Sequence, residues 1–340
     1  MKPRIEFSRY APVLAAILGI AVNILGYAAS GQINDLTHAQ LSTPASDSSA
    51  EIVYVLDTGN HRVQTFNAKG VYQSQFSHSF DLPTGIAVDG NGNVYVKDGN
   101  QNCWADKFNS KGKFILQFGA CSQGQIGLGI FDNIGAIATT AAGRAWVSSP
   151  DYYYMQQVNG SGKFLKIVCM ASLGIENCPQ ATSFDVQPMG ITVDASGNVY
   201  VTNVYPFSGG YNVVKFKRDG TYLATIGSAG SGNGQFNTPE GIALDSSGNI
   251  FVADSGNNRV EKFNKNGVYQ SQFGSSGSGN GQFSYPVGIA FGTSGEMYVT
   301  DVGNNRVQIF SSKGKYQGQF GSAGQGNGQF SAPYGIAIAK

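Results

Sequence analysis

An acid, a glycine, an amide and an arginine recur at fixed spacing in DTGNHRV (57–63), DSGNNRV (254–260) and DVGNNRV (301–307). Asp57, Asp254 and Asp301, with Arg62, Arg259 and Arg306, supply the charge that a ligand site used three times would need. The same residues also suit a repeated turn. Aspartate accepts hydrogen bonds from its own turn, glycine and asparagine adopt the left-handed conformation, and arginine pairs with a carboxylate or with carbonyls of a neighbouring turn. Two other phrases invite a chemical reading. GSGNGQF (230–236 and 277–283) and GQGNGQF (324–330) carry the glycine spacing of a phosphate cradle, but a strand rather than a helix follows and no GK[ST] is present. DGNGN (89–93), DASGN (194–198) and DSSGN (245–249) open like a calcium loop yet have no glutamate at the twelfth position, so they read as hairpin turns.

The elements that carry these phrases repeat. P-x-G-I-A-x-D appears as PTGIAVD (83–89), PMGITVD (188–194) and PEGIALD (239–245), more loosely as PVGIAFG (286–292) and PYGIAIA (333–339), and in worn form as IGAIATT (134–140). The glycines at 85, 135, 190, 241, 288 and 335 give a period of 47 to 55 residues. A second phrase occurs six times: VYVLD (53–57), VYVKD (94–98), AWVSS (145–149), VYVTN (199–203), IFVAD (250–254) and MYVTD (297–301). An R/K-V-x-x-F strand and an aromatic strand follow it. Four short strands per unit of this length make the blade of a β-propeller, and six units predict six blades. The first VYV phrase has no preceding GIA strand, and the last GIA strand (335–339) has no VYV strand after it. Pairing the two closes the ring and removes the open sheet edge.

With these units in view, the stretch GSGNGQFNTPEGIALDSSGNIFVADSGNNRVEKFNKNGVYQSQFG (230–274) resembles NHL repeats, and the likeness runs over about residues 51–340. The resemblance implies an all-β, six-bladed propeller of four-stranded antiparallel blades. It does not imply one activity, because the scaffold hosts many. Some NHL-type propellers are lyases that hold zinc with histidines from several blades. This chain has only His38, in a linker, and His61 and His78, in two loops of one blade, so three convergent ligands are not available. Related lactonases and hydrolases use a channel calcium or channel acids, and no matching set of Glu, Asn and Asp is found. No cofactor is therefore expected; calcium or zinc stays open as an alternative that no ligand pattern supports, and no catalytic residue is assigned.

Departures from the repeat carry more information than its copies. In a blade of this kind the 2–3 and 4–1 loops emerge on one face. The 2–3 turn of blade two reads DGNQNCWADK (98–107), of blade three SPDYYYMQQ (149–157), and of blade four NVYPFSGGYN (203–212). The arginine is gone from all three. Trp104, Tyr152, Tyr153, Tyr154, Tyr205, Phe207 and Tyr211 stand there instead, either packing on one another and on enlarged 4–1 loops or forming a binding surface. The cysteines fall in the same region. Four cysteines allow three pairings, of which Cys103–Cys121 and Cys169–Cys178 are the geometrically simplest.

Lys2, Arg4 and Arg9 precede an apolar run from 11 to 29 that ends in small residues, the order of an export signal or of a retained membrane anchor. Residues 1–30 thus read as signal or anchor, 31–50 as a linker and 51–340 as the propeller. Removing 1–30 takes three bases from 22 and one acid from 21, which leaves 19 against 20 and a net charge of −1. That charge and the export signal both oppose nucleic-acid binding. The reading is an extracellular or periplasmic module that binds a protein, peptide or carbohydrate through blades two to four. A channel-mouth lyase or hydrolase is the alternative.

Overall fold

A computed structural model describes residues 51–98, 103–121, 127–131, 134–151, 153–170, 185–204 and 210–339. The signal and linker segments, Tyr152, Tyr205, Phe207 and Cys178 lie outside these residues.

The 2-residue period and turn chemistry of each unit build a four-stranded antiparallel sheet, and six such sheets form the ring. The inner strands are Pro333–Ala339, Gly85–Val88, Ile137–Thr139, Pro188–Val193, Pro239–Leu244 and Pro286–Phe291, for blades one to six in turn. The VYV-type second strands are buried on both faces, because each sheet is sandwiched between its neighbours. Outer strands such as Tyr269–Phe273 are largely exposed. Closure follows the expected pairing: Ile52 lies opposite Ala339 and Val55 opposite Ile336, so the two ends of the propeller share the first blade. Tyr298 of blade six adds a contact across the seam by donating to the Ala68 carbonyl at 2.7 Å.

Between blades the core is aromatic. Phe66 of blade one packs on Phe320 of blade six with ring centroids 4.6 Å apart, and Phe330 of the intervening 4–1 loop completes the cluster. Phe236 and Phe283 anchor the equivalent loops, each fully buried. Each anchor contributes about 1.5–3 kcal/mol of apolar burial. The GNGQF phrase therefore ends in a core residue, and its chain doubles back as a short parallel pairing, Ser228–Ala229 with Gln235–Phe236. This pairing goes beyond the four strands per blade read from the sequence.

The glycine of P-x-G-I-A has a steric reason. A Cβ at Gly288 would stand 2.7 Å from the Tyr334 carbonyl oxygen of the next inner strand. The same close approach to a backbone carbonyl of the neighbouring blade recurs at Gly135, Gly190, Gly241 and Gly335, so only hydrogen fits there, whereas Gly85 has more room. The carbonyls of the x residues are held from the preceding blade: Thr202 donates to Glu240 O at 2.8 Å and Thr300 to Tyr334 O at 2.7 Å. The x residues are thereby set at one end of the central channel.

Candidate functional site

The recurring DxGNxRV turn is a clamp on the preceding 4–1 loop. Arg306 Nε donates to Asp301 Oδ2 at 2.8 Å, and its Nη2 donates to the carbonyls of Gly279 and Gln282 at 2.8 and 2.9 Å. Asp301 Oδ1 accepts from the Ser284 amide at 2.7 Å. Arg259 and Asp254 repeat the arrangement on loop 230–237, and Arg62 and Asp57 repeat it on loop 324–331. None of these six residues lines the central channel. Their side chains run into the 4–1 loops, and the three aspartates are fully buried. The residue after the GN pair turns left-handed, at His61, Asn258 and Asn305. Asn258 Oδ1 then accepts from the Tyr285 amide at 2.7 Å, which fixes the residue that enters the next inner strand.

A fourth member of the clamp varies. Gln64 and Gln308 each accept a loop amide with Oε1 and donate through Nε2 to a loop carbonyl at 2.6 Å. Blade five has Glu261 at this position. Its Oε1 accepts from the Gly234 amide at 3.2 Å, while its buried Oε2 has no hydrogen-bond partner. Burial pushes the Glu261 carboxyl up to about 7, against the pull of Arg259.

Blades two to four lack the arginine. Asp98 still accepts from the amides of Asp81 and Leu82, and Asn203 plays that part in blade four by accepting from the Gln187 amide at 2.8 Å. Cys103 and Cys121 are disulfide-bonded with Cα atoms 4.7 Å apart, tying the 2–3 turn of blade two to the chain after its fourth strand. Cys169 is also disulfide-bonded, and its expected partner Cys178 is outside the described residues. Trp104 and Tyr211 are half-buried. Tyr153 is half-buried too and has φ 55°, four residues after its strand end, as His61, Asn258 and Asn305 do. Blade three thus keeps the turn without its sequence. Tyr154 is fully buried and donates to the Ile130 carbonyl at 2.5 Å, so its ring serves the core.

The central channel holds a cavity of about 540 Å³ walled by the six inner strands. At the end shared with the 2–3 and 4–1 loops, its polar lining includes Thr84, Lys97, Asp151, Gln187, Glu240 and Tyr334. Glu240 is 8% exposed and accepts from the Tyr285 hydroxyl at 3.0 Å and the Tyr334 hydroxyl at 3.4 Å. Burial raises its carboxyl above the usual range, with the two phenols opposing. Burial also raises both tyrosines, and the neighbouring carboxylate adds to this. Lys97 is 3% exposed and donates to Thr84 Oγ1 at 2.8 Å. Burial lowers its ammonium to about 8, partly offset by Asp98 and Asp151.

Sequence reasoning passed over Glu240, Lys97, Tyr285 and Tyr334. The signal was present in two variable columns of the repeat. Position x of P-x-G reads Thr84, Met189, Glu240, Val287 and Tyr334, and Lys97 occupies the place of Thr202 and Thr300 in the VYV phrase.

Comparison with known proteins agrees with this architecture. Residues 236–263 and 283–310 match the NHL repeat family. NHL repeat-containing protein 3 of Homo sapiens is 35% identical over 72 residues, 21% of this chain and 20% of that protein. The E3 ubiquitin-protein ligase TRIM32 of Mus musculus is 26% identical over 235 residues, 60% of this chain and 32% of that protein. The matched regions thus span about a fifth and a third of these relatives' lengths. A chain from a crystal structure of a nidogen/laminin complex superposes with a TM-score of 0.62 at 16% identity, covering 85% of this chain and 98% of that one. The chain is a six-bladed β-propeller, and two segments, in its fifth and sixth blades, match the NHL repeat.

Proposed function

We propose that this propeller is an exported binding and scaffold module that engages a protein ligand through the 2–3/4–1 face of blades two to four. Peptide and carbohydrate ligands belong to the same reading. The observation that carries it is the asymmetry of that face. Arginine clamps seal the loops over blades five, six and one, whereas over blades two to four the clamp gives way to a disulfide and to half-buried Trp104, Tyr153 and Tyr211. Such rings bury area on a partner at low entropic cost. The occurrence of the same fold within a nidogen/laminin complex supports a protein ligand. The order of charge and hydropathy in residues 1–30 supports an extracellular or periplasmic setting, with a membrane tether through 11–29 where that segment is kept.

The test is capture of a defined partner from the exported fraction by immobilised protein, repeated with W104A/Y153A. Capture should be lost while the thermal transition stays in place. Undiminished capture by the double variant would overturn the reading. A channel-mouth lyase or hydrolase is the second reading, favoured by Lys97 and Glu240 facing one cavity. Turnover of ester or lactone probes that disappears in Lys97→Met would support it.

A further inference from the structure

Most buried carboxylates of the propeller have a cation. Asp57, Asp254 and Asp301 each have an arginine within 2.8 Å, and Asp89 has Lys107 at 4.0 Å. Glu240 has none among the described residues, although it is more than nine-tenths buried and lines the channel. Among the described residues its side-chain partners are two neutral phenols. A carboxylate offers about four lone-pair positions, and two are used here. Keeping a buried anion without a counter-charge is costly, so a cation arriving from outside would recover free energy that the fold leaves unclaimed.

The surroundings select the sign and type of that cation. Lys97 projects from blade two, diametrically opposite Glu240 of blade five in a six-membered ring. Among the described lining residues it is outnumbered, one base against Asp151 and Glu240, and the nearby Asp98 adds negative charge behind it. The excess is negative. The donor set does not suit a hard metal ion, which takes six or more oxygen ligands, often several carboxylates. Among the described residues no three His, Cys, Asp or Glu side chains converge. A group with its own N–H donors fits better, because it can pair with the carboxylate while the inner-strand walls cover its alkyl stem. Ile242, Val287 and Ile336 line the cavity beside Glu240.

We propose that the channel mouth binds a protonated primary amine, with Glu240 as its counter-ion and Tyr285 and Tyr334 holding the carboxylate in place. This rests on the reading of the 2–3/4–1 face as a binding face, and it specifies the chemistry recognised there. Asn258 of the repeated turn contributes by fixing the Tyr285 backbone.

The experiment titrates the purified full chain calorimetrically with three probes: acetyl-Gly-Lys-Gly-amide, the same peptide acetylated on the lysine nitrogen, and n-butylammonium. The first should bind saturably and the acetylated form should not. Glu240→Gln should weaken binding about tenfold or more, as expected when one member of a desolvated charge pair is lost. Lys97→Met removes the opposing positive charge and should tighten binding several-fold, an outcome that does not depend on the Glu240 variant folding well. Tighter binding of the peptide than of butylammonium assigns the amine to a lysyl side chain of a partner, and equal binding assigns it to small free amines. No binding by the wild type, equal binding of the acetylated peptide, or an unchanged affinity in both variants would overturn the proposal. If partner capture persists and remains sensitive to W104A/Y153A while the amine probes fail, the binding face stands and the amine site falls.

Discussion

Replacing Glu261 with glutamine should stabilise the propeller at pH 8 and do much less at pH 5. In blades one and six, Gln64 and Gln308 supply a donor to the loop carbonyls of Gln329 and Gln282 at 2.6 Å. Glu261 presents an unprotonated, unpartnered Oε2 at the corresponding place, against the Gln235 carbonyl and Asp254 by analogy of register. A rise of its carboxyl from 4.5 to about 7 corresponds to about 3 kcal/mol at 1.36 kcal/mol per unit. The exposed 230–233 loop next to the site keeps the surroundings polarisable, so the expected cost is about 1–2 kcal/mol, in line with leaving one buried acceptor unpaired. Arg259 loses a partner at 3.2 Å in the variant, which opposes the gain, whereas Asp254 loses a repelling neighbour. The sign of the pH effect follows from proton uptake. Between about pH 4.5 and 7 the folded protein holds a proton on Glu261 that the unfolded chain has released, so this group's contribution falls as pH rises through that window. Below it the protonated acid donates as the glutamine would, and the variant's advantage closes. Urea unfolding of wild type and variant at the two pH values checks this. A variant no more stable than wild type at pH 8, or an equal gain at both pH values, would refute the reasoning.

Two other variants probe how the binding face is held. Arg306→Ala leaves Asp301 buried without its cation and frees the carbonyls of Gly279 and Gln282, so it should cost about 3–5 kcal/mol in urea unfolding and speed hydrogen exchange in loop 277–283. The double change Cys103→Ser and Cys121→Ser opens a loop of sequence separation 18 and should cost about 3 kcal/mol, read as a lowered denaturant midpoint relative to the oxidised protein.

The fold was legible because every blade states its own pattern. Strand alternation and the Asx turns at Asp89, Asp194 and Asp245 are decided within a few residues, and six copies average away local ambiguity. Ring closure was legible for the same reason, since Ile52–Asp57 and Pro333–Ala339 are each half of one blade. The aromatic substitutions in blades two to four were equally visible as departures. Their exposure was not: Tyr154 belongs to the core because its strand side faces Phe131, with ring centroids 6.0 Å apart, which no spacing rule reveals.

By itself the sequence determined the six blades and the seam where the ring closes, while it left three cysteine pairings open and allowed the DxGNxRV phrase to be either a site or a turn. Only the tertiary structure decided what that turn grips and what gathers at the channel. Arg306 reaches carbonyls 24 and 27 residues earlier in the chain, and Tyr334 meets a Glu240 that lies 94 residues before it. Local pattern sets each blade, but the radial packing of six blades sets which variable residues face one another. Glu240, Lys97 and Tyr334 are three unremarkable departures in separate repeats until the inner strands bring them to one mouth.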